Sequence, residues 1–115
     1  MKVSIVTPYK NSFKTFTKVY KSVINQTYKN FEWIIVDDNS DSDELLKLRD
    51  FVKDKRVTIY LNNGKSGPGG ARNFALERVS GDFLTFIDSD DYWNINYLEI
   101  MSDLINDSEG IIFSG

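Results

Sequence analysis

The chain has 115 residues, 14 basic and 17 acidic, for a net charge of −3, which argues against the basic stripe of a nucleic-acid-binding surface. Hydrophobic residues make up 41% and aromatics 14%, a composition that buries a core and is not that of a disordered chain. Cysteine and histidine are absent, which excludes disulfides, thiolate or imidazole metal sites and histidine acid–base chemistry; a bound metal must take oxygen ligands, favouring Mg²⁺, Mn²⁺ or Ca²⁺.

Val3 to Thr7 is a β-branched run that Pro8 is expected to close, giving a first strand. From Ser12 to about Gln26 the residues Phe13, Phe16, Tyr20, Val23 and Ile24 recur at helical spacing. Phe31 to Val36 reads as a second strand, and its nearly continuous apolar character points to a parallel sheet covered on both faces. Ser40-Asp41-Ser42-Asp43 offers caps for a helix carrying Leu45, Leu46, Leu48, Phe51 and Val52. Val57 to Leu61 is a third strand, Asn62 to Gly70 a glycine-rich loop, and about Ala71 to Val79 a helix. Phe83 to Ile87 is a fourth strand. Asn94 or Asn96 is expected to cap a last helix through Leu98, Met101, Leu104 and Ile105, and Ile111 to Phe113 to form a fifth strand. The amino-terminal apolar stretch is too short for a signal peptide, and no run approaches the ~20 apolar residues that span a bilayer. A soluble, cytoplasmic chain is expected.

This alternation predicts an α/β fold, a three-layer, doubly wound, mainly parallel sheet with helices on both faces. In such sheets ligands bind beyond the carboxyl ends of the strands, near the switch point. Pro8-Tyr9, Asp37-Asp38 and Asp88-Ser89-Asp90-Asp91 all follow strand ends, so three distant segments are expected to converge on one sheet edge.

Asp88-Ser89-Asp90-Asp91 places three carboxylates in four residues after an apolar strand. A divalent cation relieves their repulsion and can bridge to phosphate; Mg²⁺ commonly needs only one or two carboxylates beside substrate phosphates. The plainer alternative is a turn whose Asp and Ser cap the next helix. Asp37 or Asp38 could accept a hydrogen bond from a base imide or ribose hydroxyl, or simply shape a strand-to-helix turn. Gly69-Gly70 allows close backbone approach, and Arg72 in the following helical turn could reach a nucleotide. Neither the P-loop order nor the dinucleotide fingerprint is present. Tyr92 and Trp93 could line a sugar pocket, with core packing the plainer role for Trp93.

In order, Val3 to Tyr9, Ser22 to Tyr28, Glu32 to Ser40, Gly69 to Asn73 and Gly81 to Trp93 resemble the amino-terminal, nucleotide-binding half of family-2 glycosyltransferases with the GT-A fold, a Rossmann-like half. The resemblance implies an inverting, metal-dependent transfer of a sugar from a nucleotide-diphosphate sugar, UDP-linked, to a glycan or lipid-linked hydroxyl acceptor in cell-surface polysaccharide or glycoconjugate synthesis. It implies that Pro8 and Tyr9 border base and ribose, that Asp38 or Asp37 bonds the base, and that Arg72 lies near base or diphosphate. Asp88-Ser89-Asp90 is then the Asp-x-Asp motif, with Asp88 on ribose or sugar, Asp90 on Mn²⁺ or Mg²⁺, and Asp91 a second metal candidate. Asn39 stands where Gly is commonest, and Asn also tolerates a left-handed turn.

Family members are longer, and their acceptor half and catalytic base follow the Asp-x-Asp segment. Residues 1–115 are therefore expected to be the donor-binding part, truncated before the acceptor half, inactive alone, with peripheral membrane association supplied by absent segments and self-association through an exposed edge or apolar patch. Two alternatives are a non-catalytic nucleotide-binding module and a receiver-type signalling domain. The receiver requires paired acids after the first strand, where Pro8-Tyr9 stands.

Overall fold

The computed structural model describes residues 1–107. Its elements are β1 (Val3–Tyr9), α1 (Phe13–Ile24), β2 (Phe31–Asp37), α2 (Ser42–Phe51), β3 (Val57–Leu61), α3 (Pro68–Leu76), β4 (Phe83–Phe86) and α4 (Tyr97–Asn106). The fifth strand expected at 111–113 lies outside the described residues.

The sheet has the order β3-β2-β1-β4, and every pair is parallel. Strand side chains alternate between faces. Val3, Ile5, Phe31, Trp33 and Ile35 pack with α1, α2 and α4, whereas Val6, Ile34 and Val36 pack with Ala71 and Ala75 of α3. The first two crossovers step outward from β1 to β3, and the third returns across β2 and β1 to β4. Right-handed crossovers in opposite directions put their helices on opposite faces. The three-layer, doubly wound reading is met, and the switch point falls between β1 and β4.

Three local expectations change. Pro8 lies inside β1, which runs on to Tyr9. The Val6 carbonyl accepts from the Ile87 amide and the Tyr9 carbonyl from the Asp38 amide. Pro8 therefore faces the β4 side, where pairing has ended at Val6 and Phe86, and its missing N–H breaks no ladder bond. Next, α3 starts three residues early, at Pro68. Proline suits the first helical position because that N–H has no intrahelical partner and its φ is already helical; Gly67, at φ 95°, makes the entry. Finally, Asn96 does precede α4, but its side chain makes no capping bond. The cap comes from Gln26, fully buried at the end of α1. Its Oε1 accepts from the Leu98 amide at 2.9 Å and its Nε2 donates to the Asn94 carbonyl at 2.6 Å. Among the described residues no helix is long and apolar enough to cross a membrane.

Candidate functional site

The carboxyl ends of β1, β2 and β4 open into a cleft of about 800 Å³. Pro8, Tyr9, Asp38, Arg72, Asp88, Ser89 and Asp90 all border it, so most of the sequence-predicted site residues converge. The segments differ in how they are held.

Asp88 follows directly on a buried relay. The Trp33 indole N–H donates to Thr7 Oγ1 at 2.9 Å, and that hydroxyl donates to the Ile87 carbonyl at 2.7 Å. One buried threonine thus ties β2, β1 and the end of β4 together beneath the acidic segment. On the other side Thr15 Oγ1 of α1 donates to the Ser89 carbonyl at 2.8 Å. The backbone is fixed while the carboxylates stay open: Asp88 and Asp90 are both exposed. Asp88 Oδ1 meets the Arg72 guanidinium at 3.4 Å, and Asp90 has no side-chain partner among the described residues.

Asp38 is buried and already engaged. Its Oδ2 accepts from the Gly67 amide at 2.8 Å and its Oδ1 from Asn62 Nδ2 at 3.0 Å, pinning the loop that leads into α3. In the first turn of α3 a Cβ on Gly70 would sit 1.9 Å from the Lys65 carbonyl oxygen, so the close approach expected of Gly69-Gly70 occurs at Gly70 alone. The turns after β1 and β2 interlock. Asn11 and Asn39 both adopt positive φ, 47° and 62°. The Asn11 amide donates to Ser40 Oγ, and Asn11 Oδ1 accepts from the Asp41 amide, each at 2.9 Å.

Three expected residues are placed differently. Asp37 is buried beneath the turn and does not border the cleft; its Oδ2 accepts from the Ser40 amide at 3.3 Å, and its Oδ1 has no partner among the described residues. Tyr9 reaches the cleft at the strand end, but its ring turns into the core, edge-on to Phe16 with centroids 5.4 Å apart. Among the described residues its hydroxyl has no partner at full hydrogen-bond geometry. Burial, followed by the negative charges of Glu44 and Asp37, pushes its pKa up to about 12. Parity explains both: odd positions of β1 and β2 face α1 and α2. Asp91 lies outside the main cleft, beside a smaller hollow of about 260 Å³ that also touches Arg72, Asp88 and Trp93. Trp93 stacks on Tyr97 at 4.4 Å, whereas Tyr92 is exposed under Lys18.

No group of three or more acidic residues converges tightly enough to cage a metal among the described residues. What is present is an unpartnered Asp90 beside a loosely paired Asp88, both oxygen donors. That set fits a hard cation shared with ligand phosphate better than an all-protein cage. Sequence reasoning missed Lys10, Asn11, Ser12, Lys14 and Thr15, which also border the cleft. Only their position after the first strand could have flagged them.

The likeness to known proteins follows the same lines. The glucosyltransferase WfgD of Escherichia coli, named as acting from UDP-Glc on α-D-GlcNAc-diphosphoundecaprenol, is 41% identical over 98 residues, spanning 85% of this chain and 38% of that protein. S. aureus TarS in complex with UDP-GlcNAc superposes with a TM-score of 0.84 at 33% identity, over 93% of this chain and 32% of that one. The mannosyltransferase PcManGT of Pyrobaculum calidifontis, solved with GDP-Man and Mn²⁺, shares the fold at 21% identity and a TM-score of 0.71, over 79% of this chain and 28% of that one. The fold is GT-A. The chain spans well under half the length of each of these proteins. A family model matches residues 4–115, from the second residue of β1 through every later element described, and the chain belongs to glycosyl transferase family 2.

Proposed function

We propose that this chain is the donor-binding part of an inverting glycosyltransferase that takes its sugar from a UDP-linked donor. The observation that carries the reading is the convergence of Asp38, Arg72, Asp88, Ser89 and Asp90 on one cleft at the switch point of a parallel sheet. The UDP-Glc named for WfgD and the UDP-GlcNAc bound in the TarS complex support a uridine diphosphate.

Asp38, held by Gly67 and Asn62, retains acceptor capacity for a base imide, since each carboxylate oxygen can accept more than one bond. Pro8 shapes the floor below the base. Arg72 sits between the cleft and the smaller hollow and offers its guanidinium to the diphosphate or the sugar. Its Nε is buried without a partner among the described residues, so Arg72 has hydrogen-bonding capacity that Asp88 alone does not use. Mn²⁺ or Mg²⁺, held by Asp90 with Asp88 beside it, would neutralise charge on the leaving diphosphate as a Lewis acid. Asp88 and Ser89 then orient ribose and sugar against the fixed β4 end. The acceptor is a glycan or lipid-linked hydroxyl, as the diphosphoundecaprenol acceptor named for WfgD suggests. We assign the acceptor wall, the base that deprotonates this hydroxyl and any peripheral membrane contact to the part of the relatives that this chain does not span.

UDP binding measured by calorimetry with Mn²⁺ and with a chelator tests the reading. Wild type is expected to bind more tightly with metal. Asp90→Ala is expected to weaken binding about tenfold or more with metal and to abolish the metal effect, on the scale of perturbed metal sites. Equal affinity with and without metal would sink the metal assignment. No UDP binding in either condition would sink the donor site.

A further inference from the structure

The cleft holds charges that do not satisfy one another. Asp38 is already engaged by Gly67 and Asn62, and Asp88 meets Arg72. That leaves Asp90, Lys10 and Lys14, which border the same cleft. Among the described residues neither lysine ammonium makes an ion pair or hydrogen bond, and Asp90 makes none either. All three side chains are exposed. An ion pair across this cleft would relieve both signs at once, yet none forms within 4.0 Å. The backbone fixes where the lysines stand. Lys10 sits in the turn after β1 and Lys14 in the first turn of α1, which is tied down by Ser12 and by the Thr15 bond to the Ser89 carbonyl. That turn carries no acidic residue to neutralise the lysines locally.

A ligand that satisfies these groups must present anionic oxygens to the lysines and a cation to Asp90. A neutral sugar or a nucleoside does neither. A nucleoside diphosphate carrying a divalent cation does both, and without the cation it still satisfies the lysines. We propose that Lys10 and Lys14 are specificity-determining residues that grip the donor's diphosphate directly, giving the site a hold on phosphate that persists without metal. This rests on the donor-site reading above and adds to it a second, independent grip on the same group. Lysine suits the task as a flexible point charge for phosphate. The grip selects for phosphate count: UDP binds better than UMP, and UMP better than uridine, even in chelator.

The test compares uridine, UMP and UDP binding to the 115-residue chain at low salt, in chelator and in Mn²⁺. The proteins are wild type, Lys10→Gln/Lys14→Gln, Lys10→Arg/Lys14→Arg and the outer-surface control Lys47→Gln. In chelator the double glutamine variant is expected to lose about tenfold in UDP affinity, given charge-assisted contacts discounted for exposure. Its uridine affinity stays unchanged. The arginine pair retains UDP affinity within about twofold because the charge is kept, and Lys47→Gln matches wild type. Added salt narrows the gap between wild type and the glutamine pair. If wild type binds UDP and the glutamine pair binds it equally well in chelator, the lysine assignment falls while the donor site stands. If UDP binds only with Mn²⁺, the metal-independent grip falls. If wild type binds UDP in neither condition, the donor-site reading falls with it.

Discussion

The two edges of this sheet treat charge in opposite ways. At the edge where the strands begin, Glu32 is saturated. Its Oε2 accepts from Ser4 Oγ at 2.5 Å and the Ser80 amide at 2.6 Å, its Oε1 accepts from Ser80 Oγ at 3.0 Å, and Lys2 Nζ stands 3.5 Å away. Ser4 Oγ in turn accepts from the Gly81 amide. Burial works against ionising Glu32, but these bonds and the lysine outweigh it and hold the carboxyl below its usual range. Nearby, Arg56 holds Asp54 through two side-chain bonds while lying over the Phe31 ring, and the Asp54 carboxyl is lowered chiefly by those bonds. At the edge where the strands end, Asp90, Lys10 and Lys14 are unpaired among the described residues, and Asp88 is held only at 3.4 Å. The same residue types therefore do different work. Paired charges fasten the segment before β4 to β1 and β2, whereas open charges are free to be satisfied by a ligand.

Glu32→Ala should break the comparison most visibly. It strands Ser4, Ser80 and Lys2, and a loss of about 2–3 kcal/mol is expected from unsatisfied partners of a charged group. Urea unfolding would measure it, and the nucleotide affinity of the folded fraction should not move. The sign with pH follows from the lowered carboxyl. Wild type keeps the stabilisation above the unfolded value near 4.5 and loses it as pH falls through the lower folded value. The difference between wild type and Glu32→Ala should shrink in that acid window.

Gly70→Ala should act at the other edge. The added Cβ meets the Lys65 carbonyl oxygen at 1.9 Å, so the loop must shift, with a cost of about 1–3 kcal/mol typical of overpacking. Because the same loop carries Gly67 to Asp38, UDP affinity should fall as well, which Glu32→Ala does not produce. A stability loss without a binding loss would separate the loop from the site.

Tyr9→Phe is the smallest change, and it sharpens the contrast. It removes a buried hydroxyl that has no partner among the described residues, so stability should hold or rise by up to about 1 kcal/mol. Wild-type stability attached to this phenol is intact below pH 10.0 and is lost as pH rises toward about 12. Thermal unfolding across that window should fall less steeply in the phenylalanine variant.

Much of this was legible from local pattern. Apolar runs marked the four described strands, and acids following such runs marked the ligand edge, because parallel strands place their ends together. The helical side chains Phe16 and Val23 announced themselves by spacing. What escaped depends on partners far away in sequence. Glu32 is an isolated acid in an apolar strand, and nothing near it shows that Ser4 and Ser80 will close on it. Gln26 as a cap for α4 and Thr7 as a three-strand relay join residues tens of positions apart. Tyr9 was legible as a strand-end residue, but its inward ring follows from strand parity, which places odd positions of β1 against α1. Lys10 and Lys14 look like ordinary surface lysines until α1 is laid against Ser89.

The insertion of β4 beside β1 has a kinetic meaning. The bond from Thr7 to the Ile87 carbonyl closes a span of 80 residues. The β1–β2 and β2–β3 pairs join neighbours in the chain and can form while the rest is still being synthesised. The cleft cannot exist until the longest loop closes, and long-range parallel pairing is the slow part of such folding. Nucleotide binding should therefore appear late and all at once, with docking of the final strand, and donor present during refolding should stabilise that last step and no earlier one.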